Sequence, residues 1–229
     1  MLGGKKGGCV IVRDPIIISS PPRSGTTMLV GLLHKHGLWV GTAGITPYAQ
    51  TNSLFGSENI EIKNLMKGLA KSIGYKNWNI PLPQLDSVGE RAYITYNRIS
   101  EIVPEQTPWL VKTAWTLIFG ELWMKMFPEA KWLFVVRPIE DVIDSVKRHP
   151  AMKKRNISVV RKFIEALQDK QHFLSEQSIN YLFVDANKIV EGDLIACEKL
   201  FSFCELDFDP IIFKGWIKPS MWHKDMKIC

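Results

Sequence analysis

The stretch Pro15-Ile-Ile-Ile-Ser-Ser-Pro-Pro-Arg-Ser-Gly-Thr-Thr-Met-Leu29 decides how the rest of the chain is read. Ile16 to Ile18 form a β-branched run, Pro21-Pro22 breaks it, and an apolar-periodic segment follows from Met28 to His36. The order is strand, loop, helix. A Ser/Gly/Thr loop at that junction turns backbone N–H groups and the positive end of the helix dipole towards an anion. Gly25 allows close backbone approach, the hydroxyls of Ser24, Thr26 and Thr27 can donate, and Arg23 adds a planar cation suited to oxyanions. The same residues also suit a capped helix start that holds no ligand.

Set against the nucleotide-triphosphate loop GxxxxGK[ST], Ser20 stands where the first Gly belongs and Thr26 occupies the Lys position. A kinase or NTPase would lack the cation that reaches the β- and γ-phosphates. The apolar run Leu133 to Val136 is also not followed by an Asp suited to magnesium. The loop suits a smaller phosphate group.

Outward from this unit, the strand–helix pattern recurs. Helical periodicity runs from Ile60 to Ser72, with Ile62, Leu65, Met66 and Leu69 on one face, and a second helix is expected over Arg91 to Ile102. Trp109 to Thr113 reads as a short strand, Leu117 to Phe127 as a helix ended by Pro128, and Lys131 to Val136 as an apolar strand. Glu140 to Arg148 reads as a helix, Tyr181 to Val184 as a last strand and Leu194 to Cys204 as a last helix. Residues Gly37 to Asn59 lack periodicity and read as a long surface loop able to shape a pocket. Four apolar strands separated by helices imply crossover connections, so the expected class is α/β: one domain with a central parallel β-sheet flanked by helices, similar to P-loop NTPases. The expected bounds are an extension at 1–14 and the domain at 15–229. Ligands of such sheets bind at the carboxyl ends of the strands, which places Arg23, Lys112, Arg137 and Asp185 on one rim.

The chain's 229 residues are 46% apolar, enough for a sizeable core, and 29 Lys and Arg against 23 Asp and Glu give a charge of +6 that suits anionic ligands. The excess lies before Arg137, with 14 basic and 9 acidic residues there. The densest run, Lys153-Lys154-Arg155, has no interleaved aromatics and reads as a solvated helix face, so no nucleic-acid partner is expected. Cys9, Cys197, Cys204 and Cys229 form no CxxC pair and have no His at ligand spacing, so thiols are expected and a metal site is not. No signal-peptide core and no run of bilayer-spanning length is present, which points to a soluble, cytoplasmic chain.

Ser20-Pro-Pro-Arg-Ser-Gly-Thr-Thr-Met-Leu29 closely resembles the 5'-phosphosulfate loop of sulfotransferases that use 3'-phosphoadenosine 5'-phosphosulfate. Phe127-Pro-Glu-Ala-Lys-Trp-Leu-Phe-Val-Val-Arg-Pro-Ile-Glu-Asp-Val-Ile-Asp-Ser145 resembles the family's strand-to-helix motif for the 3'-phosphate, with Arg137 and Ser145 at the gripping positions. On its own spacing, Arg137 could instead pair with Glu140 or Asp141. The resemblance covers Pro15 to Pro150 well and the rest loosely, and its motifs are of the bacterial and Golgi type more than the cytosolic one. It implies a cofactor site built from Pro22, Arg23, Ser24, Gly25, Thr26, Thr27, Met28, Arg137 and Ser145, and a reaction that needs no metal.

The implied reaction moves a sulfuryl group to a hydroxyl, or less often an amine, of a small molecule or glycan. Such a transfer needs an in-line acceptor and cations set against the developing charge. The resemblance assigns Arg23 and Lys112 to the sulfuryl group, although Lys112 also suits a lysine snorkelling from a strand end. For the base, Thr113 is followed by Ala114-Trp115 where cytosolic members carry a His, and Val40-Gly41-Thr42-Ala43 has no carboxylate where membrane-associated members carry a Glu. Phe55-Gly-Ser-Glu-Asn59 looks similar to a bacterial-type segment, which makes Glu58 the candidate base, with a helix-start carboxylate as the alternative. His34, His36 and His149 are rivals better suited to packing or capping. Phe213-Lys-Gly-Trp216 keeps only a fragment of the family's C-terminal phosphate loop; Lys214, Lys218 or Lys224 could substitute, and Trp222 suits core or nucleotide. Tyr48, Phe55, Trp78, Tyr93, Tyr96 and Trp115 could line an acceptor pocket or pack in the core. Two other functions fit the same loop: a small nucleotide-dependent kinase, and a nucleotide-binding module that has lost catalysis.

Overall fold

The computed structural model describes residues 13–41, 58–76, 78–85, 88–150 and 152–217. Four strands, β1 (Ile16–Ser19), β2 (Leu110–Lys112), β3 (Lys131–Val136) and β4 (Asn180–Asp185), form one sheet in the order β2-β1-β3-β4. Every neighbouring pair is parallel, with Ile17 opposite Val111 and Trp132, and Leu133 opposite Leu182. The expected α/β class, a single domain with a central parallel sheet flanked by helices, is what the structure has. Burial on both faces of the sheet explains why Ile16, Ile17 and Ile18 of β1 are all apolar. Ile17 packs with Val111, Trp132 and Phe134 on one face, whereas Ile16 and Ile18 pack with Leu110, Leu133 and Val135 on the other.

Ten helices follow among the described residues. The first face carries α2 (Ile60–Ser72), α3 (Val88–Ile102), α4 (Trp115–Ile118), α5 (Gly120–Met126) and α7 (Ile157–Ser175). The second carries α1 (Thr26–Lys35), α8 (Ala186–Glu191), α9 (Leu194–Cys204) and α10 (Pro210–Trp216). Helix α6 (Ile139–Arg148) packs Val142, Ile143 and Val146 against Val160 and Ile164 of α7. Trp109, Trp123 and Trp132 are almost wholly buried on the first face. Each such side chain stabilises the fold by about 2–3 kcal/mol through the surface it removes from water.

Several elements differ from the sequence reading. The single helix expected over Leu117 to Phe127 is two short ones: Thr113 Oγ1 accepts from the Trp115 amide at 3.0 Å and starts α4 early. The break falls at Phe119, and α5 opens on Gly120, where a Cβ would stand 2.4 Å from Leu174 of α7, so the absent side chain lets α7 approach. Helices α7, α8 and α10 were not expected. Lys153, Lys154 and Arg155 lie not on a helix but in an exposed turn between α6 and α7. Residues 38–40 are not surface loop either: Leu38 and Val40 are buried, and Trp39 forms a parallel bridge with Trp109. Asp185 is a helix cap, its carboxylate accepting from the Asn187 and Lys188 amides at the start of α8. Cys197 and Cys204 are buried thiols, as expected, while Cys9 and Cys229 lie outside the described residues. So do most of the 1–14 extension and residues Tyr48, Phe55, Lys218, Trp222 and Lys224. No helix among the described residues is long and apolar enough to cross a membrane.

Candidate active site

The carboxyl ends of β1, β2 and β3 meet at the loop from Ser20 to Gly25. Arg23 and Gly25 both adopt positive φ, 67° and 90°. Gly25 tolerates this conformation freely, but at Arg23 it is strained, and strain of this kind is held only where the surroundings fix it. The fixing contacts are on both sides of the residue. Arg137 Nη1 donates to the Arg23 carbonyl at 3.1 Å, and the Arg23 side chain reaches α6, where Nε donates to Ser145 Oγ at 3.1 Å. Gly25 caps α1, its carbonyl accepting from the Met28 and Leu29 amides. Ser24 and Thr26 are buried, Thr27 is exposed, and Pro22, Gly25 and Met28 lie between.

The structure therefore joins Arg23, Arg137 and Ser145, three of the residues expected to hold an anion. Arg137 is 8% exposed and also lies 3.8 Å from Asp141, one of the two partners its spacing allowed; the other, Glu140, is taken by Arg161 in a paired contact of 2.8 and 2.9 Å. Burial, then the charges of Arg137 and Arg148, push the Arg23 guanidinium below its ordinary range. Arg137 is lowered by burial, with Asp141 opposing and Arg148 adding to it. Arg148 was not singled out from the sequence. Its signal was its place three residues beyond Ser145, one helical turn further along the same face of α6.

On the β2 side, Lys112 and Glu58 come together with Nζ and Oε1 3.5 Å apart, each side chain 18% exposed. Lys63, on the first turn of α2, binds the other oxygen, Nζ to Oε2, at 2.5 Å. Burial raises the Glu58 carboxyl, but Lys112 and Lys63 outweigh it, so the net shift is downward and the group is ionised. Lys112 is lowered, chiefly by burial, with Glu58 opposing and Lys63 and Arg23 reinforcing. The influence of Arg23 on Lys112 links the two halves of the site. Lys63 carried no signal in the sequence, since its contact depends on the turn from Glu58 into α2.

Other expected candidates are engaged elsewhere. His34 Nδ1 bonds the Leu38 carbonyl at 2.9 Å, and His36 bonds the Leu32 carbonyl through Nδ1 and accepts from the Asp209 amide through Nε2. His149 occupies the C-terminal cap of α6, where burial and then the nearby Arg23 charge lower its pKa. Trp115 stacks on Phe119, Trp78 packs at a tilt against Phe163 and Tyr96 against Phe127, and Tyr93 is exposed. Two buried polar groups unread in the sequence support the rim. Gln171 Nε2 donates to the Ser19 carbonyl at 3.0 Å, and Thr116 Oγ1, which donates to the Thr113 carbonyl at 2.9 Å, also lies 3.3 Å from the Ile18 carbonyl. Among the described residues no group of three His, Cys, Asp or Glu side chains could hold a metal ion.

The first strand–helix turn of the parallel sheet thus draws in basic side chains from β1–α1 and β3, with Lys112 at the end of β2 beside it. The sequence profile described as "Sulfotransferase family" matches residues 15–210, and the chain belongs to that family. Among solved structures, sulfotransferase STF9 from Mycobacterium avium is similar with a TM-score of 0.57 at 10% identity, over 90% of this chain and 68% of that one. The sulfotransferase domain of the Synechococcus PCC 7002 olefin synthase gives 0.55 at 19% identity, over 96% and 90%. The sulfotransferase domain from the curacin biosynthetic pathway gives 0.53 at 18%, over 88% and 77%. No curated protein sequence matches the chain.

Proposed function

We propose that this sulfotransferase takes its sulfuryl group from 3'-phosphoadenosine 5'-phosphosulfate and passes it to a hydroxyl, or less often an amine, of a small molecule or glycan. The observation that carries the reading is the convergence of Arg23, Arg137 and Ser145 at the β1–α1 loop, where Arg137 bonds the Arg23 backbone and the Arg23 side chain bonds Ser145, with the charge of Arg148 disfavouring both guanidiniums. Cations held together against their own repulsion are stabilised by a bound polyanion. A donor with a 5'-phosphosulfate and a 3'-phosphate supplies two such groups, and the residues present fit both. The loop amides from Ser24 to Thr27 and the Arg23 guanidinium face the phosphosulfate. Arg137 and the Ser145 hydroxyl, which accepts from Arg23 and still has a proton to donate, hold the 3'-phosphate.

When bound, the donor supplies a sulfuryl group on an easily broken linkage to phosphate. Arg23 and Lys112 set positive charge beside the sulfuryl oxygens and the leaving phosphate before the reaction begins, so little reorganisation is needed as charge develops. Glu58, ionised between two ammonium groups, accepts the proton of the attacking hydroxyl. A carboxylate whose pKa lies below the ordinary range is a weak base. Its contribution is positioning and charge as much as proton affinity.

The test is calorimetric titration with 3'-phosphoadenosine 5'-phosphate, in parallel with ATP and magnesium, on wild type and Arg137→Ala. Selective binding of the former, lost in the variant, is expected. A preference for ATP with magnesium would overturn the donor assignment. Glu58→Gln should then retain that binding while losing sulfate transfer across a panel of alcohols, phenols and sugars.

A further inference from the structure

We infer that Lys63 is a positioning residue for Glu58: it holds one carboxylate oxygen from the rim so that the other stays turned towards Lys112 and the incoming acceptor. The inference rests on Glu58 being the base, as proposed above, and adds the group that keeps it in place. Glu58 stands one residue before Asn59, the cap of α2, so the hydrogen bonds of the helix do not hold its backbone. Lys63 is held. Its amide donates to the Asn59 carbonyl at 2.9 Å, in the same turn where the Asn59 side chain accepts from Ile62 at 3.0 Å.

The two carboxylate oxygens are divided unequally. Oε2 is gripped at 2.5 Å by Lys63, the more exposed of the two lysines at 39%, while Oε1 lies 3.5 Å from buried Lys112. The tight contact is thus on the solvent side and the loose one faces the site. A carboxylate bonded by Lys112 alone would close onto that ammonium, and the two would neutralise each other instead of acting on the reacting groups. With Lys63 taking Oε2, the trio carries two positive charges for one negative. The surplus positive charge of the trio then faces the transferring group, and Oε1 keeps its direction. Among the described residues, the charged groups facing this carboxylate are Lys112 from β2 and Lys63 from α2, with Arg23 of the β1–α1 loop acting on Lys112.

The experiment follows the Glu58 carboxyl carbon by NMR across pH in the full chain labelled with 13C-glutamate, the resonance being assigned by its loss in Glu58→Gln. Lys63→Met and Lys63→Gln should raise the titration midpoint by about one pH unit, the effect of removing one adjacent cation, and Lys63→Arg should restore it to within a few tenths. The thermal midpoint of each variant, unchanged within a few degrees, checks that the fold is intact. A Glu58 midpoint that stays at the wild-type value in folded Lys63→Met and Lys63→Gln overturns the inference. Failure of the base assignment reads out separately. If Glu58→Gln releases sulfate from 3'-phosphoadenosine 5'-phosphosulfate, with water as the acceptor, as fast as wild type, Glu58 is not the base whatever its midpoint does.

Discussion

Arg137 Nη1 donates to the main-chain carbonyl of Arg23 over 3.1 Å, so the guanidinium at the tip of β3 fixes the backbone of a loop 114 residues earlier in the chain. One side chain thereby shapes the anion cradle and charges it. Truncation removes both effects. Arg137→Ala should weaken binding of 3'-phosphoadenosine 5'-phosphate by about 100-fold, the scale of a lost charge-assisted contact of about 2–3 kcal/mol. Arg137→Lys should recover only part of that, because an ammonium cannot bond a carbonyl and a phosphate in the fixed directions of the planar fork. Calorimetry on the three proteins checks the order; equal affinity for wild type and Lys would remove the geometric part of the argument.

Arg23 separates stability from function. Its φ of 67° is unfavourable for a side chain with a Cβ, and glycine removes that strain. Arg23→Gly also deletes a cation that burial and two neighbouring guanidiniums disfavour. The variant should be as stable as wild type or more so, by up to about 1 kcal/mol in urea unfolding, while losing affinity for the same ligand by at least about tenfold. A marked loss of stability would mean that the Arg23–Ser145 contact holds α6 on the loop more strongly than the strain opposes it.

How much of this was legible before the fold depends on whether the signal is local. β3, α2 and α9 match their expected ranges because apolar runs and single-face periodicity are properties of neighbouring residues. The β1–α1 loop was legible for the same reason. Helix α7 also has such a signal, with Val160, Phe163, Ile164 and Leu167 at helical spacing, and it was passed over next to the more obvious motifs. The division of α4 from α5 was not legible. The break falls at Phe119, inside an apolar run, and the close approach of Leu174 to Gly120 comes from 54 residues away in the chain. The site divides in the same way. Arg23, Lys112 and Arg137 follow from strand ends, whereas the Lys63–Glu58–Lys112 arrangement depends on how the start of α2 sits against the end of β2.

Glu58 ties acid stability to the site. Its folded pKa lies below the ordinary value of 4.5 because the two lysines outweigh burial. A depressed carboxylate contributes stability that is present above the unfolded value and is lost as pH falls through the folded one. Wild type should therefore be more stable than Glu58→Gln at pH 7, and the gap should close below about pH 4. Urea unfolding of both proteins between pH 7 and 3 measures this, and a gap independent of pH would mean that the glutamine is disruptive by shape and not by charge.

Gln171 gives the strongest stability prediction, because it is buried in a helix that otherwise presents apolar residues to the sheet. At 2% exposure, its Nε2 donates to the carbonyl of Ser19, the last residue of β1, at 3.0 Å and approaches the Val135 carbonyl of β3 at 3.5 Å. Gln171→Leu keeps the volume and removes the donor, leaving a buried carbonyl unsatisfied at the last residue before the cradle. A loss of about 1–3 kcal/mol in urea unfolding is expected, the desolvation cost of one such group. Because Ser19 leads directly into the loop, ligand affinity should fall as well. In Gln171→Glu the protonated acid can still donate, so this variant should regain stability as pH is lowered, opposite to the trend at Glu58. A Gln171→Leu protein as stable as wild type would show that the strand ends are held by packing alone.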